Sequence, residues 1–419
     1  AVAVLAAVVG LGAGIYPALF LSGFRPIQLL RDKGMERAGH SRFRNVLVLV
    51  QFTISIALMA ATGVALRQLS FMKRQALGFD KERVIVLPLR GGGQAGSPGA
   101  IKERLSRFDG IARVAVSSQV PGDTLFFNPY LPEGFAVGEM QYMGELDFDE
   151  DVIPTLGMEL AAGRNFRGGA EGGGARDVII NEAAVRTFGW ENDGAVGKEI
   201  RPIELKGPGE PFVVVGVVED FHAESLHRPI EPLLISCSQD GYGALSVKVR
   251  PGQVGKVLDV LRAEWPGIDP GRPFEYAFLD EMFDRLYRSD ERISRVFGVF
   301  AGLAIFIACL GLFGLASFTA ERRTKEIGVR KVLGASTPEI VRLVTWDLLK
   351  WVAGAGLIAW PVAYLLTSSW LRNYAYRIEP GAWLFAGAAA AALAVAALTV
   401  SHQTWRAATD DPVHSLRYE

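Results

Sequence analysis

The chain has 419 residues, of which 50% are hydrophobic and 21% are charged, and its formal net charge is −1. Its mean hydropathy of +0.22 is too high for an ordinary soluble protein, whereas its charged fraction is too high for a protein that lies wholly within a membrane. The near-zero net charge offers no bulk attraction to nucleic acid, so we expect no nucleic-acid partner.

Five apolar segments are long enough to cross a membrane, because a helix needs about 20 residues to span the hydrocarbon core. They are Ala1–Leu21, Val46–Leu66, Ile293–Thr319, Trp351–Thr367 and Ala382–Thr404. The chain starts at Ala1 without the charged leader of a signal peptide, so we expect a fragment cut within its first crossing. Residues 1–23 would then be the last transmembrane helix of an upstream repeat of the same polypeptide.

Basic residues predict the orientation of these crossings. One basic cluster lies in the linker at residues 24–45, and another runs from Arg322 to Lys331. Both segments are predicted to be cytoplasmic, because loops rich in Lys and Arg stay on that side of the membrane. Alternation then places residues 67–290 outside the membrane and the tail, residues 405–419, inside.

Residues 67–290 form one soluble block whose two ends predict matching β-α-β halves. The halves are Val84–Leu89, Ala100–Phe108 and Val114–Ser118, then Ala244–Val249, Val254–Trp265 and Phe274–Phe278. Between them, a Gly- and Pro-rich insertion at about residues 121–239 predicts a smaller, mainly β subdomain. The predicted fold class is an α-helical membrane protein with an inserted α+β extracytoplasmic domain, built from these split halves and the insertion.

Two helices are predicted to run from the membrane into this domain without a break. Val46–Leu66 continues into Arg67–Ala76, and Glu281–Asp290 continues into Ile293–Thr319, with no Gly or Pro at either boundary. The second helix would be about 55 Å long at 1.5 Å per residue. Such helices can transmit a displacement, although they can equally serve only to hold the domain.

The loop from Glu321 to Ser336 is richer than a topological signal requires. It mixes acidic and basic residues with apolar ones, and Gly328 and Gly334 interrupt it. A short amphipathic element exposed to the cytoplasm is suited to contact with another protein, which makes this loop the first indication of function. After it, Thr337 is predicted to cap an amphipathic helix that lies at the inner interface and then turns into the fourth crossing.

A short internal repeat agrees with a duplicated architecture. Pro26–Arg31 resembles Pro412–Arg417, and each of the two follows an apolar span. We therefore expect Ala1–Arg31 to end one repeat and the rest of the chain to form a second, complete one.

Ten short motifs are distributed along nearly all of the chain. They are Arg44–Leu47, Gln51–Ser55, Leu77–Asp80, Gly157–Met158, Ala162–Phe166, Ile180–Ala183, Val215–His222, Phe278–Asp280, Lys325–Lys331 and Gly334–Ala335. Together they resemble bacterial ABC-transporter permeases of the FtsX-like/MacB-like type. The resemblance implies four crossings per repeat and a periplasmic core domain with a porter-like region and an inserted subdomain. It also implies that the chain is the C-terminal half of a duplicated, eight-crossing permease of the inner membrane.

The resemblance further implies a separate cytoplasmic ABC ATPase, working as a dimer, that docks on the cytoplasmic loop. The residues expected to receive it are Glu321, Arg322, Arg323, Lys325, Glu326, Ile327, Gly328, Arg330, Lys331, Gly334 and Ala335. In such permeases, closure of the ATPase moves the long helices and the outer domain does the work. A periplasmic adaptor or substrate would be a further partner, beside the lipid membrane.

No enzyme site is predicted in the chain itself. The motif G-x-x-x-x-G-K-[ST] does not occur, so ATP is expected to bind to the partner. Ser117 and Ser118 lie near Asp123 without a His partner in a motif, which gives no catalytic triad. We therefore predict no catalytic residue and no cofactor in this chain.

Two groups of metal-ligand residue types are also interpreted as structural. Asp147, Asp149 and Asp151 suggest a calcium loop, but Val152 stands where that loop requires Gly, and we predict a solvated acidic face. A second group has ligand chemistry but matches no standard ligand spacing, so no metal site is predicted. Its members are Asp220, His222, Glu224 and His227.

Three functions stay open at this point. The first is ATPase-driven export or extraction of a hydrophobic or amphipathic substrate, such as an antimicrobial compound; the near absence of charges inside the crossings argues against a path for polar solutes. The second keeps the ATPase but activates a periplasmic partner, such as a cell-wall hydrolase, without transport. The third is a membrane sensor that works without an ATPase.

Overall fold

The computed structural model describes residues 36–89, 98–167, 176–205, 207–237, 243–322, 326, 329–330 and 333–409. These residues divide into two compact units. The membrane unit comprises Ala1–Gly63, Val296–Thr367 and Pro380–Glu419, and the outer unit comprises Val64–Arg295 and Ser368–Glu379. The first predicted crossing, Ala1–Leu21, and the two repeat motifs at residues 26–31 and 412–417 lie outside the described residues.

The helices and strands follow one another as the sequence predicts, with helices at both ends and strands between them. In chain order they are α1 (Glu36–Arg74), β1 (Val84–Pro88), α2 (Pro98–Ser106), β2 (Ile111–Ser117), β3 (Phe126–Pro132), β4 (Gln141–Asp147), α3 (Val152–Leu156), β5 (Leu160–Gly163), β6 (Arg176–Asn181), α4 (Glu182–Phe188), α5 (Asn192–Ala195), β7 (Glu199–Glu204), β8 (Gly207–Pro208), β9 (Phe212–Val218), β10 (Leu233–Ser236), β11 (Ala244–Val249), α6 (Val254–Ile268), β12 (Ala277–Phe278), α7 (Leu279–Leu286), α8 (Arg288–Arg322), α9 (Thr337–Leu371) and α10 (Ala382–Thr409). A short 3-10 helix at Val137–Glu139 precedes β4.

Four helices of the described part of the chain are long and apolar enough to cross a membrane. The spans are Arg44–Arg74, Arg288–Thr319, Thr337–Leu371 and Ala382–Arg406. Within the membrane unit, small residues let α1 and α8 approach closely: a Cβ built at Gly311 would lie 3.1 Å from Gln51 Oε1. The hydroxyl of the buried Ser55 donates to Gln51 O at 2.9 Å, so this polar group is satisfied within its own helix.

The predicted interfacial helix and the fourth crossing form a single helix, α9, and the predicted turn between them is wrong. One buried apolar stripe at helical spacing runs through both parts, so nothing in the packing favours a turn. Its members are Ile340, Val344, Leu348, Val352, Ala355, Ala359 and Ala363. The helix starts at Thr337, so the cap is Ser336, one residue before the predicted one. Ser336 N donates to Glu339 Oε2 at 3.0 Å, which is one half of a capping box.

In the outer unit, the two β-α-β halves combine into one four-stranded sheet of order β12-β1-β11-β2. All its pairs are antiparallel, and β11 of the second half lies between β1 and β2 of the first. One face of the sheet packs with Leu105 of α2 and with Leu261 and Trp265 of α6. The other face contributes Val84 and Val86 to the central core of the outer unit. The strands are apolar on both faces because both faces are covered.

The insertion forms the predicted, mainly β subdomain. Its eight strands have the order β5-β9-β6-β10-β4-β3-β7-β8, and an additional pairing of β9 with β7 closes the sheet on itself. Closure leaves fewer free edges than an open sheet of this size would have. Together with the four spans, this architecture confirms the predicted fold class of a helical membrane protein with an inserted α+β domain.

The long helix predicted over Glu281–Thr319 is interrupted. α7 ends at Leu286, Tyr287 has non-helical backbone angles of φ −99° and ψ 2°, and α8 starts at Arg288. The sequence contains no Gly or Pro here, so the cause is tertiary. The Tyr287 side chain is buried, and its hydroxyl is 3.4 Å from Leu226 N, which donates to it. The first predicted continuous helix is confirmed, since α1 runs unbroken from Glu36 to Arg74.

The acidic run Asp147–Asp151 is not the solvated face that the sequence predicts. Lys102 of α2 reaches into the run, with its Nζ 3.1 Å from Asp149 Oδ2 and 2.9 Å from Glu150 Oε1, and it also pairs with Asp151. Asp149 is buried and accepts a hydrogen bond from Val116 N at 2.9 Å. The three carboxylates raise the pKa of Lys102 against the opposing effect of its own burial. These residues therefore join α2 to the segment between β4 and α3.

Candidate functional site

The predicted coupling loop lies between the end of α8 and the start of α9. Glu321 and Arg322 form the last residues of α8. Arg323, Lys325, Ile327, Gly328 and Lys331 lie outside the described residues. Glu326, Arg330, Gly334 and Ala335 are described, and the geometry of the site rests on them and on their immediate neighbours.

These described residues form a short helical turn with a defined end. Arg330 Nη2 is 2.8 Å from Glu326 Oε1, as expected for residues four apart on a helix. Leu333 N donates to Val329 O at 3.0 Å, and Ala335 N donates to Arg330 O at 2.9 Å. Gly334 has a φ of +93°, the left-handed conformation in which glycine ends many helices.

The same turn presents apolar and charged groups side by side. Val329 is 54% exposed and Leu333 is 79% exposed, although both are aliphatic. Glu326, which precedes Val329, and Arg330, which lies between Val329 and Leu333, are also exposed. Exposed aliphatic side chains framed by charges are typical of protein docking surfaces, in which an apolar centre has a polar rim.

A second site, which the sequence did not predict, involves the short loop between α9 and α10. Residues Ser368–Glu379 belong to the outer unit. Tyr374 of this loop is only 4% exposed, and its hydroxyl donates to Asp290 Oδ1 at 3.0 Å. The ring of His227 stacks on Tyr374 with centroids 4.6 Å apart, and His227 Nε2 is 3.3 Å from Asp290 Oδ2. We call His227, Tyr287, Asp290 and Tyr374 the membrane-proximal cluster.

Burial and charge raise the pKa of both tyrosines of this cluster. Burial raises the pKa of Tyr374, and the neighbouring Asp290 carboxylate raises it further, so the phenol stays protonated and donates. Burial likewise raises the pKa of Tyr287. Both phenols are therefore neutral hydrogen-bonding groups at physiological pH.

A glutamine of α1 binds the same loop from another direction. Gln68 is 1% exposed, its Nε2 donates to Tyr376 O at 2.8 Å, and its Oε1 accepts from Ile378 N at 2.9 Å. The ring of Tyr376 meets His222 edge-on with centroids 4.8 Å apart. Burial lowers the pKa of His222, which keeps this imidazole neutral. The loop is thus held by side-chain and backbone contacts at both ends.

The residues considered as metal ligands do not converge. Asp220 accepts from Ala183 N at 2.8 Å and pairs with Arg186, while Glu224 accepts from Leu125 N at 3.2 Å. In the described part of the chain, no group of three or more His, Cys, Asp or Glu residues is placed to hold a metal ion. Two of the four residues have structural roles that the sequence did not show, since His222 contacts Tyr376 and His227 belongs to the cluster.

Two protein-family models match this chain. The MacB-like periplasmic core domain matches residues 47–258, which is half of the chain, and the FtsX-like permease C-terminal domain matches residues 298–412. The chain therefore belongs to the ABC-transporter permeases that carry a MacB-like periplasmic core domain, and the resemblance found in the sequence is confirmed. With its four spans and this domain, it is a multi-pass protein of the bacterial inner membrane with a large extracytoplasmic domain.

Similar proteins include three permeases. The macrolide export ATP-binding/permease protein MacB of Syntrophobacter fumaroxidans is 22% identical over 57% of this chain and 33% of its own length. The ABC transporter permease YknZ of Bacillus subtilis is 21% identical over 50% of this chain and 55% of its own length. The permease YvrN of the same organism is 23% identical over 90% of this chain and 96% of its own. The alignments thus span a third to about half of the first two relatives.

Two solved structures are also among the matches. The periplasmic region of MacB from Actinobacillus actinomycetemcomitans has 16% identity and a TM-score of 0.34, covering 50% of this chain and 94% of that one. The extracellular domain of the ABC-type transporter YknZ from Gram-positive bacteria has 14% identity and a TM-score of 0.31, covering 46% of this chain and 97% of that one.

Proposed function

We propose that this chain is the membrane subunit through which a separate cytoplasmic ABC ATPase moves an outer domain. The observation that supports this most is the placement of the coupling loop between two helices that both reach the outer unit. α8 begins in the outer unit at Arg288 and ends at Arg322, and α9 begins at Thr337 and ends in the outer unit at Leu371. Each has 35 residues and is therefore about 52 Å long, well beyond the roughly 30 Å hydrocarbon core.

In this proposal the coupling loop receives the ATPase. The exposed Val329 and Leu333 supply the apolar centre of the contact, and Glu326 and Arg330 supply part of its charged rim. The left-handed Gly334 and the cap at Ser336 fix where the turn ends and α9 begins, so a push on the turn is delivered directly to α9. The chain itself contributes no catalysis, and ATP is bound and hydrolysed by the partner.

The cargo that this arrangement suits is hydrophobic or amphipathic. The sequence from Val296 to Ala320 contains no charged residue, so α8 offers no path for an ion or a polar solute through the bilayer. A substrate taken from the membrane or the periplasm and moved by the outer domain needs no such path. The relative MacB is named as a macrolide exporter, and macrolides are cargo of this kind. For this chain we propose hydrophobic or amphipathic cargo as a class, and not macrolides in particular.

The test is ATPase binding and stimulation by a variant of the coupling loop. Arg323, Lys325, Glu326 and Arg330 are replaced by Ala in the 419-residue chain, which is purified together with its candidate ABC ATPase. We expect the ATPase to be lost from the complex and its chain-dependent ATP hydrolysis to fall at least tenfold. Unchanged binding and hydrolysis would exclude the loop as the docking site.

A matched control lies further along α9. Lys350 Nζ is 3.1 Å from Asp347 Oδ1, so this pair resembles the ion pair of the coupling loop but follows the cap by more than ten residues. Replacing both by Ala should leave ATPase binding unchanged.

Transport of an amphipathic dye by reconstituted pairs then separates export from partner activation. ATP hydrolysis that depends on the loop, without dye movement, would favour activation of a periplasmic partner.

A further inference from the structure

The outer end of α8 carries a row of arginines. Arg288, Arg292 and Arg295 are all exposed, and residues spaced by four and three lie on one face of a helix. Asp290 and Ser294, on the opposite face, are buried. The row is therefore a surface feature of the outer unit, separate from the membrane-proximal cluster on the other side of the same helix.

The carboxylates of this turn offset only part of the charge of the row. Asp290 accepts from the hydroxyl of Tyr374 at 3.0 Å, and Glu291 pairs with Lys73 of α1 at 2.5 Å and also attracts Arg288 and Arg295. Arg292 Nε donates to Arg288 O at 3.3 Å, which orients the Arg292 guanidinium along the row. None of the three arginines forms a salt bridge among the described residues. They are left to attract an external anion.

The position of the row along the helix indicates what kind of anion is available. Arg295 is followed directly by Val296–Ala320, a stretch without any charged residue that must occupy the hydrocarbon core. The row extends outward from there by about 10 Å, at 1.5 Å per residue. Each headgroup layer of a bilayer is roughly 5–8 Å thick, so the three guanidinium groups lie at or just beyond the level of the lipid phosphates.

The same face of α8 continues into the membrane as an apolar stripe. At 100° per residue, the positions in line with the row are Val299, Leu303, Phe306 and Leu310, and all four are exposed. A basic segment followed on one face by an apolar one matches a phospholipid, whose phosphate and acyl chain have the same order. An acidic protein segment would match the arginines but not the stripe.

We propose that Arg288, Arg292 and Arg295 form a binding surface for anionic phospholipid headgroups in the outer leaflet. Basic residues are normally depleted at this side of a membrane, so three arginines on about two turns, none with a salt bridge among the described residues, call for a ligand. Guanidinium groups bind phosphate oxygens through paired N–H donors, and the three positive charges favour a lipid with a net negative charge over a zwitterionic one. This surface is independent of any ATPase.

The test compares two lipids on the purified 419-residue chain. The chain is incubated in detergent with equal amounts of phosphatidylglycerol and phosphatidylcholine of identical acyl chains, and native mass spectrometry counts the lipids bound. The unaltered chain should prefer phosphatidylglycerol. Replacing Arg288, Arg292 and Arg295 by Gln should reduce this preference about tenfold or more. Raising the salt concentration should weaken the preference of the unaltered chain.

The control is a second triple variant of equal charge change. Arg107, Arg113 and Arg201 are exposed arginines of the outer unit on segments that do not continue into a membrane helix, and replacing them by Gln should leave the preference unchanged. The basic cytoplasmic segments bind some anionic lipid in every variant, so the difference between the two triples is the measured quantity. The proposal is overturned if the two triple variants show the same preference for phosphatidylglycerol, whether both keep it or both lose it.

Further variants guard against misfolding, and a peptide control guards against a protein ligand. If the Gln triple does not fold, the three single Gln variants and a triple Lys variant replace it: each single should lose part of the preference, and the Lys variant should keep most of it. The unaltered chain is also tested with a polyglutamate peptide. If it binds the peptide but shows no preference between the two lipids, the row is assigned to an acidic protein partner. That result would also overturn the proposal.

Discussion

Of the helices that connect the membrane spans to the outer unit, α1 and α8 enter it in different ways. α1 runs without interruption to Arg74. α8 begins at Arg288, and the single residue Tyr287 separates it from α7. The first joint is continuous and the second is broken, although the sequence contains neither Gly nor Pro at either one.

The two joints are also held by different forces. The end of α1 is fixed by packing: Met72 and Leu77 are buried in the central core, and Gly78 lies against the backbone of Asp220 and Phe221. The joint between α7 and α8 is fixed by the hydrogen bonds and ring contacts of the membrane-proximal cluster. Packing resists bending along its whole length, whereas a helix break concentrates bending at one residue. We infer that α1 acts as the stiff connection and Tyr287 as the hinge.

The largest loss of stability is expected at Gly78 in the α1 joint, where an added side chain would clash with backbone atoms. Gly78 has a φ of +81°, and a Cβ added to it would lie 2.6 Å from Asp220 O and 2.8 Å from Phe221 Cα. Since both atoms belong to the backbone, they cannot move aside cheaply, and Gly78→Ala should lower the free energy of unfolding by about 3 kcal/mol. Thermal and denaturant unfolding of the purified chain measure this loss.

A matched glycine separates conformational strain from the clash. Gly134 has a similar φ of +90°, but a Cβ there would have no atom within 4 Å. Gly134→Ala should therefore cost only about 1 kcal/mol. Equal losses in the two variants would show that the close approach at Gly78 contributes nothing, and the α1 joint would not be the tighter of the two.

The next effect tests the membrane-proximal cluster that holds the hinge, through its buried Tyr374. Tyr374→Ala removes a buried ring, its stacking on His227 and its hydrogen bond to Asp290, and should cost about 3 kcal/mol at most. Tyr374→Phe keeps the ring and should cost about 1.5 kcal/mol, because only the hydrogen bond to the carboxylate is lost. Hydrogen exchange of residues 368–379 should rise in both variants. Unchanged exchange in the Ala variant would mean that the loop is held elsewhere.

How far the sequence predicts these joints depends on the range of the interactions. The continuity of α1 and the order of the β-α-β halves follow from local patterns of apolar residues, and both were predictable. The break at Tyr287 arises from its contact with Leu226, 61 residues earlier, and no local pattern reveals it. The acidic run at Asp149 was likewise misjudged, because its partner Lys102 lies 47 residues away.

The candidate sites show the same division. The mixture of charges and apolar residues between Glu321 and Ser336 identifies the coupling loop as unusual without any structure. The membrane-proximal cluster combines residues from three distant segments, near His227, Asp290 and Tyr374, so sequence alone could not assemble it. The available signal was the aromatic content of this region, where Trp370 at the end of α9 and Tyr374 and Tyr376 of the loop occur within seven residues.

A third prediction concerns the link between the stiff joint and the loop. Gln68 of α1 is buried and bonds Tyr376 O and Ile378 N, so Gln68→Ala leaves two backbone groups without partners. We expect a loss of about 2 kcal/mol in the free energy of unfolding. Gln68→Glu keeps the acceptor for Ile378 N but loses the donor to Tyr376 O, and should also destabilise the chain. A neutral Gln68→Ala variant would show that water satisfies both backbone groups.

The smallest effect is expected for an ion pair between α1 and α8. Lys73 Nζ of α1 is 2.5 Å from Glu291 Oε1 of α8, and both side chains are about one third exposed. Exposed pairs contribute little, so Lys73→Ala should change the free energy of unfolding by about 0.5 kcal/mol. A double-mutant cycle with Glu291→Ala isolates the interaction, and high salt should abolish it. A coupling energy above about 2 kcal/mol would mean that the two joints are locked to each other, and the distinction between a stiff connection and a separate hinge would fail.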